Sequence, residues 1–475
     1  MVLLSGGSGK RLWPLSNEVR SKLFLKLLPS ESGGKQSMIQ RMSGQLEEAG
    51  LLPATTIVAH ESQAELIQNQ VGDKLSMIAE PYRRGTFTAV ALAAAYLHGK
   101  LGVSQGETVC VMPADLYVEP AFFAALKQFP HVLAESGTEL ALLGTLPQHP
   151  SSQFGYIVPQ PDGAFDQADA NAEVMAEAKA KAKAYLPIAS FVEKPDAAQA
   201  ARLIDEHALW NCGVFAFPLS FMLKVLADRG LPTGYEALLG RYEGLPEASF
   251  DVEVAEKTPR SVVIPYDKGW RDLGDWKTFP DYFGSSVIGL GEVAGGAAHS
   301  HVVNELACPV RLIGVSNLIV AASAEGILVA DKDKASLIKE LLSGSSEQPM
   351  SGEKRWGAYR ILDHSRGDAA SAAANESLTK KIDLLPGKHT SYHLHANRQE
   401  TLVILSGTGI FVYEDTLAPI GAGDVLHIPA GMKHAVYAAS RLEYMAIQIG
   451  PDLAREDARR IAVTWPEIVG RCTKS

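Results

Sequence analysis

The sequence predicts an α/β fold over roughly the first 285 residues, then a small β region and a second, β-rich domain. Up to about residue 285, short apolar runs alternate with helical stretches, the pattern of a mostly parallel sheet covered by helices. Residues 286–342 change to short valine, leucine and glycine runs, such as Pro309–Val315 and Leu318–Ala321, closed by a helix expected over Ala335–Leu342. After a Ser/Gly-containing stretch at 343–352 with the composition of a linker, residues 353–475 form the third part.

Element by element, strands are expected over Met1–Leu4, Thr56–Ala59, Thr108–Met112, Leu140–Thr145, Ala189–Glu193, Val214–Phe217 and Ser261–Pro265. Helices are expected over Lys35–Glu48, Ser62–Val71, Thr86–His98, Pro120–Phe129 and Pro218–Asp228. Ala170–Lys183, alanine-rich with charges of both signs, reads as an exposed helix or a loop insertion without an assigned function. In a sheet of this kind ligands bind beyond the carboxyl ends of the strands.

Composition narrows the function. At 475 residues, with 46% hydrophobic and 21% charged residues, the chain has material for two or three cores. No apolar run approaches the roughly 20 residues that span a bilayer, and the chain enters a strand without a basic, apolar leader, so a cytoplasmic protein with no membrane partner is expected. A net charge of −10 disfavours a nucleic-acid partner, which would need a basic face. The four cysteines, Cys110, Cys212, Cys308 and Cys472, lack metal-ribbon spacing and are expected to be small buried hydrophobes.

The first strand runs into Ser5-Gly6-Gly7-Ser8-Gly9-Lys10-Arg11, then Leu12-Trp13-Pro14-Leu15 and Lys22. Glycines let backbone N–H groups close around phosphate oxygens, and Lys10, Arg11 and Lys22 add positive charge, which suits a nucleoside triphosphate. A P-loop would need glycine and Ser/Thr where Leu4 and Arg11 stand, and Leu12 breaks a dinucleotide fingerprint. Asp115 follows the apolar run Val109–Met112, and Asp272 sits in Trp270-Arg271-Asp272-Leu273-Gly274. Carboxylates in such places suit Mg²⁺, although an aspartate in a turn is more often a cap.

Leu-Ser-Gly-Gly-Ser-Gly-x-Arg-Leu-Trp-Pro-Leu-Ser with the later lysine resembles the sugar-nucleotide pyrophosphorylases, and the bacterial mannose-1-phosphate guanylyltransferases in particular. The resemblance covers residues 1 to about 342, with Ser21 where many members have proline. It implies a Rossmann-like, GT-A-like mixed sheet. It also implies in-line attack by the phosphate of mannose 1-phosphate on the α-phosphorus of GTP, with Arg11, Lys22, Asp115 and Asp272 as catalytic residues and Asp115 and Asp272 as Mg²⁺ ligands. Gly6, Gly7, Ser8, Gly9, Lys10, Glu80, Arg84 and Thr86 would hold the nucleotide; the last three lie in Glu80-Pro81-Tyr82-Arg83-Arg84-Gly85-Thr86. Gly155, Glu193, Lys194, Asn211 and Gly213 would hold the sugar phosphate. These lie in Phe154-Gly155-Tyr156, Phe191-Val192-Glu193-Lys194-Pro195 and Trp210-Asn211-Cys212-Gly213. Members commonly form homo-oligomers. The alternatives are another sugar-1-phosphate nucleotidyltransferase and a non-catalytic sugar-nucleotide-binding regulator.

In the last part, Gly387-x5-His393-x-His395-x4-Glu400-x6-Gly407 is followed by Gly423-x5-Pro429-x-Gly431-x2-His434. Alternation on a strand sends His393 and His395 to one face, and a barrel can bring Glu400 and His434 beside them. Three imidazoles and a carboxylate suit a divalent transition metal, Zn²⁺ or similar. Both stretches resemble the two motifs of cupin barrels. Arg398-x-Glu400 further resembles type II mannose-6-phosphate isomerases, while His393, Ala396, Asn397 and Leu402 depart from their pattern. A mannose-6-phosphate isomerase would need a cation for the 6-phosphate, for which Arg398 and Lys433 are candidates; a metal-bearing sensing or structural module is the alternative.

Overall fold

The computed structural model describes residues 1–6, 10–160, 185–342, 349–365, 375–451, 453 and 457–472. These fall into two compact units, one formed by residues 1–8, 22–64 and 71–273 and the other by 9–21, 65–70 and 274–475. Ala170–Lys183 and most of the expected linker lie outside the described residues.

The first unit is built on β1 (Val2–Leu4), β2 (Leu28–Pro29), β3 (Lys35–Gln36), β4 (Thr56–His60), β5 (Ser76–Glu80), β6 (Thr108–Pro113), β7 (Leu116–Val118), β8 (Leu140–Thr145), β9 (Tyr156–Pro159), β10 (Leu186–Val192), β11 (Leu209–Pro218), β12 (Ser261–Tyr266) and β13 (Trp270–Asp272). Nine of them form one sheet in the order β5-β4-β1-β6-β11-β8-β12-β10-β9. β5, β4, β1 and β6 run parallel, as expected. β11 enters antiparallel to both β6 and β8, and β10 is antiparallel to β12 and β9, so the sheet is mixed, as the resemblance implies, and not mostly parallel as the alternating runs suggest.

The helix Gly85–Gly99 is apolar on every side, and nine of its residues from Phe87 to Ala95 are buried in the core of this unit. A helix without a polar face belongs inside a domain. Two helical expectations are corrected. Lys35 and Gln36 pair with β2, and the helix starts at Met38, where a Ser37 capping box satisfies its free N–H groups. Pro120–Phe129 divides into Ala121–Leu126 and Phe129–Ser136.

The second unit contains β14 (Val287–Gly289), β15 (Gly291–Ala294), β16 (His301–Asn304), β17 (Val310–Ile313), β18 (Leu318–Ser323) and β19 (Gly326–Asp331). They form a sheet β14-β16-β18-β19 and a pair β15-β17. The expected closing helix is a 3-10 turn over Lys332–Leu337 followed by Ile338–Leu341.

The rest of that unit comprises β20 (Ser351–Lys354), β21 (Gly357–Ser365), β22 (Glu376–Leu384), β23 (Tyr392–His395), β24 (Gln399–Ser406), β25 (Thr408–Tyr413), β26 (Thr416–Gly421), β27 (Val425–Ile428), β28 (His434–Ala438), β29 (Leu442–Gly450) and β30 (Ala458–Ala462). Two antiparallel sheets, β20-β21-β22-β29-β24-β27 and β26-β25-β28-β23-β30, enclose a core that includes Leu402, Ile404, Phe411, Val436 and Tyr444. The strict burial alternation along β29 is the period-2 pattern of a strand with one face inside. Of the cysteines, Cys110 and Cys212 are buried as expected, but Cys308 is exposed and Cys472 half-buried.

Candidate active site and candidate metal centre

In the first unit three sequence-predicted residues meet. Asp115 lies just past β6, and the antiparallel ribbon of β13 with β7 sets Asp272 opposite Leu116, beside it. Lys22 opens the 3-10 turn Lys22–Phe24, anchored by buried Leu23 and Phe24. Its ammonium lies 2.8 Å from Asp115 Oδ2 and 2.9 Å from Asp272 Oδ1. Burial alone would depress this lysine, but the two carboxylates outweigh it and hold its pKa above the ordinary value. Two carboxylates converging on one cation is a donor set that fits Mg²⁺.

Beyond the carboxyl ends of β1, β4 and β5 opens a cavity of about 350 Å³ lined by Ser5, Gly6, His60, Glu80, Arg84 and Thr86, among others. Glu80 accepts a 2.5 Å hydrogen bond from the Tyr242 hydroxyl, and burial raises its pKa. The Arg84 guanidinium donates to the Glu243 carbonyl at 2.5 Å. Lys10 and Arg11 belong to the turn Lys10–Leu12, where Arg11 is exposed. Gly7, Ser8 and Gly9 lie outside the described residues.

The expected sugar-phosphate residues also gather. Asn211 N–H donates to the Gly155 carbonyl at 2.8 Å, and Gly213 N–H donates to Asn211 Oδ1 at 2.9 Å. A Cβ on Gly155 would stand 2.6 Å from Glu193 Oε2, so glycine leaves this carboxylate room to sit where it does. The Lys194 ammonium pairs with Glu193. Glu193 has a raised pKa, from burial first and from nearby Asp251 second. Asp251, which no local signal in the sequence marked, accepts from Asn211 Nδ2 at 2.9 Å.

In the second unit β23, β24 and β28 bring His393, His395, Glu400 and His434 together as the spacing predicted. The ligating atoms of the three histidines lie within 4.8 Å of one another. His395 Nε2 and His434 Nε2 each stand 3.3 Å from a Glu400 oxygen. The other ring nitrogens are engaged: His393 Nδ1 with the Ser391 carbonyl at 2.7 Å, His434 Nδ1 with the Met432 carbonyl at 3.1 Å and His395 Nδ1 with Asp457 at 2.9 Å. With those nitrogens protonated as donors, every Nε2 presents a lone pair inward. His393 Nε2 and His395 Nε2 are 3.2 Å apart, a juxtaposition that a shared cation relieves. Burial, then the neighbouring His434, pushes the His393 pKa down to about 4. The set fits a divalent transition metal.

The cluster faces a cavity of about 380 Å³ that Lys354, Lys380 and Arg398 also line. Arg398 is buried, pairs with Asp457 and donates to Gln448 Oε1 at 3.2 Å. Lys433 is corrected: its ammonium is held by Asp415 at 2.5 Å and Glu414 at 3.5 Å, and it is not among the described residues lining this cavity. Asp457, Lys354 and Lys380 escaped the sequence reading because no motif links them to the histidines.

A mixed sheet with Asp115 and Asp272 paired on Lys22 beside a cavity at its strand ends, in a chain that also carries a cupin-like barrel, has the architecture of a nucleotidyl-transferring enzyme. The model of the nucleotidyl transferase family matches residues 1–284 and that of the cupin domain matches residues 381–448. The chain belongs to the nucleotidyl transferase family. It is 30% identical to the xanthan biosynthesis protein XanB of Xanthomonas campestris pv. campestris over 98% of both chains. It is 27% identical to the mannose-1-phosphate guanylyltransferase of Salmonella muenchen over 97% of both chains. A crystal structure from Thermus thermophilus, described as a "mannose-1-phosphate geranyltransferase", superposes with a TM-score of 0.58 and 29% identity over 72% of this chain and 97% of that one. Among the described residues no helix is long and apolar enough to cross a membrane.

Proposed function

We propose that the first unit transfers a guanylyl group from GTP to mannose 1-phosphate, releasing diphosphate. The observation that carries this reading is the meeting of Asp115 and Asp272 on the Lys22 ammonium. The names of the full-length relatives support the substrate pair. A phosphate oxygen of mannose 1-phosphate bonds to the α-phosphorus as the bond to the bridging oxygen breaks, and diphosphate leaves with the electron pair. Such a transfer needs alignment and charge neutralisation more than a base.

Asp115 and Asp272 would hold Mg²⁺, which when bound supplies charge neutralisation at the phosphates. Lys22 neutralises the phosphate chain and Gly6 lines the nucleotide cavity; phosphate-binding roles for Gly7, Ser8, Gly9, Lys10 and Arg11 rest on the family resemblance alone. Glu80, Arg84 and Thr86 hold the nucleoside end. Gly155, Glu193, Asn211 and Gly213 orient the hexose, and Lys194 meets its phosphate. We place the enzyme in the cytoplasm, as a homo-oligomer without nucleic-acid or membrane partners. Diphosphate release measured across several nucleoside triphosphates with mannose and glucose 1-phosphates tests the reading. Turnover greatest with GTP and mannose 1-phosphate is expected; a clear preference for another pair overturns it.

For the barrel, the supporting observation is that the four-ligand cluster shares its cavity with Lys354, Lys380 and Arg398. We read it as a mannose-6-phosphate isomerase, the cations holding the 6-phosphate while a proton moves between C1 and C2 of the open-chain sugar. A bound metal, Zn²⁺ or similar, would polarise the sugar oxygens. The full chain, stripped with chelator and resupplied with Zn²⁺, Co²⁺ or Mn²⁺, should convert fructose 6-phosphate to mannose 6-phosphate. No conversion with any of the three leaves a binding module instead.

A further inference from the structure

Residues 247–256 touch both halves of the transferase site. At one end Glu247 lines the nucleotide cavity. Ala248 N–H donates to the Arg84 carbonyl and its own carbonyl accepts from Phe87 N–H, each at 3.0 Å, while Phe250 N–H donates to Thr86 Oγ1 at 2.8 Å. The approach is close enough that Gly85, at φ +81°, would drive a Cβ to 2.2 Å from the Ala248 carbonyl oxygen. At the other end Asp251 Oδ1 accepts from Asn211 Nδ2 at 2.9 Å, and Asp251 Oδ2 accepts from the Ser249 hydroxyl at 3.0 Å. Glu256 Oε1 accepts from Glu193 N–H at 3.0 Å. Asp251–Ala255 is a π-helical turn, a rare conformation frequent at functional sites.

We propose that this segment positions both subsites and couples them, with Asp251 as the positioning residue that sets the Asn211 amide for the hexose hydroxyls. The proposal rests on the assignment above of Asn211 and Glu193 to the sugar and of Glu80–Thr86 to the nucleotide. An asparagine amide can flip end for end, exchanging donor for acceptor. Here Asp251 accepts from Nδ2 and Gly213 N–H donates to Oδ1, so one orientation alone satisfies both, leaving one N–H and one lone pair for a ligand. The same ten residues carry the backbone contacts of Arg84–Phe87. A shift of the segment on binding one substrate is therefore felt at the other subsite.

The test uses the full chain with Asp251→Ala, Asp251→Asn and Ser249→Ala. In Asp251→Ala the KM for mannose 1-phosphate should rise about tenfold while kcat changes less than about threefold. Asp251→Asn keeps an acceptor toward Asn211 and should recover most of that loss. Calorimetry should find mannose 1-phosphate bound about fivefold more tightly by the wild type when GDP is present, and Asp251→Ala should lose that gain. Folded Asp251→Ala with an unchanged KM, Asp251→Asn as impaired as Asp251→Ala, or wild type indifferent to GDP overturns the proposal. Should Asp251→Ala not fold, Ser249→Ala takes its place, with a KM rise of about threefold expected and an unchanged KM overturning. A wild type inactive with every substrate pair would instead overturn the transferase reading.

Discussion

The Lys22 ammonium lies 2.8 Å from the Asp115 carboxylate and occupies the position between Asp115 and Asp272 where a divalent cation would also be held. Lys22→Ala leaves two carboxylates facing each other with no counter-charge. Diphosphate release should fall by at least about 10²-fold, and Asp115→Ala should likewise abolish turnover with the fold kept. Added Mg²⁺ should raise the melting temperature of Lys22→Ala more than that of the wild type, because the ion replaces the missing ammonium. Initial rates and thermal melts with and without Mg²⁺ check this; near-normal rates in either variant would sink the assignment.

Gly155→Ala places a methyl group 2.6 Å from Glu193 Oε2 and 3.0 Å from the Phe191 ring. The carboxylate sits at the end of a flexible side chain, so the fold should survive while Glu193 is displaced. The KM for mannose 1-phosphate should rise by about tenfold or more with that for GTP little changed. Equal changes in both, measured in separate titrations, would argue against Glu193 as a sugar contact.

Asp457 holds His395 through Nδ1 and also pairs with Arg398. Carboxylates behind a metal-ligating histidine fix its ring orientation and raise its basicity, and their loss costs about 10- to 100-fold in metal affinity. Asp457→Ala should weaken Zn²⁺ binding by that factor in a chelator competition. An unchanged affinity would remove Asp457 from the site.

Asp415 receives the Lys433 ammonium at 2.5 Å and the Tyr392 hydroxyl at 2.7 Å, which hold its pKa below the ordinary aspartate value. A carboxylate with a depressed folded-state pKa contributes stability that is fully present above its unfolded pKa of about 3.9 and is lost as pH falls through the folded value. Asp415→Asn should therefore remove part of the pH dependence of unfolding below about pH 4. Urea midpoints at pH 5 and pH 3 for both proteins test it; parallel losses would show that Asp415 is not a source of that dependence.

Much of the site was legible where its signal is local. The carboxylate after an apolar strand and the His393-x-His395 pair are each set by a few neighbouring residues. The continuous apolar run of β8 and the unbroken apolar stretch of the Gly85–Gly99 helix likewise marked core elements. The errors arose where one local pattern fits two structures. Lys35–Gln36 continues a helical pattern until Ser37 is seen to cap, and β11 reads as another buried strand with nothing to reveal its antiparallel direction. Lys433, a candidate phosphate cation in the sequence, has its side chain taken by Asp415 and Glu414.

By itself the sequence determined which kinds of residue stand together along the chain: glycines with cations after the first strand, a carboxylate past an apolar run, an acid beside a lysine, and histidines at metal-ligand spacing. Only the tertiary structure decided the partnerships across distance. Lys22 meets Asp272 from 250 residues away, His395 meets Asp457 from 62 and Asn211 meets Asp251 from 40. Periodicity and turn chemistry record what a residue needs from its chain neighbours. Which remote side chain answers a buried donor or charge is set by strand order and register, once burial makes an unanswered polar group costly.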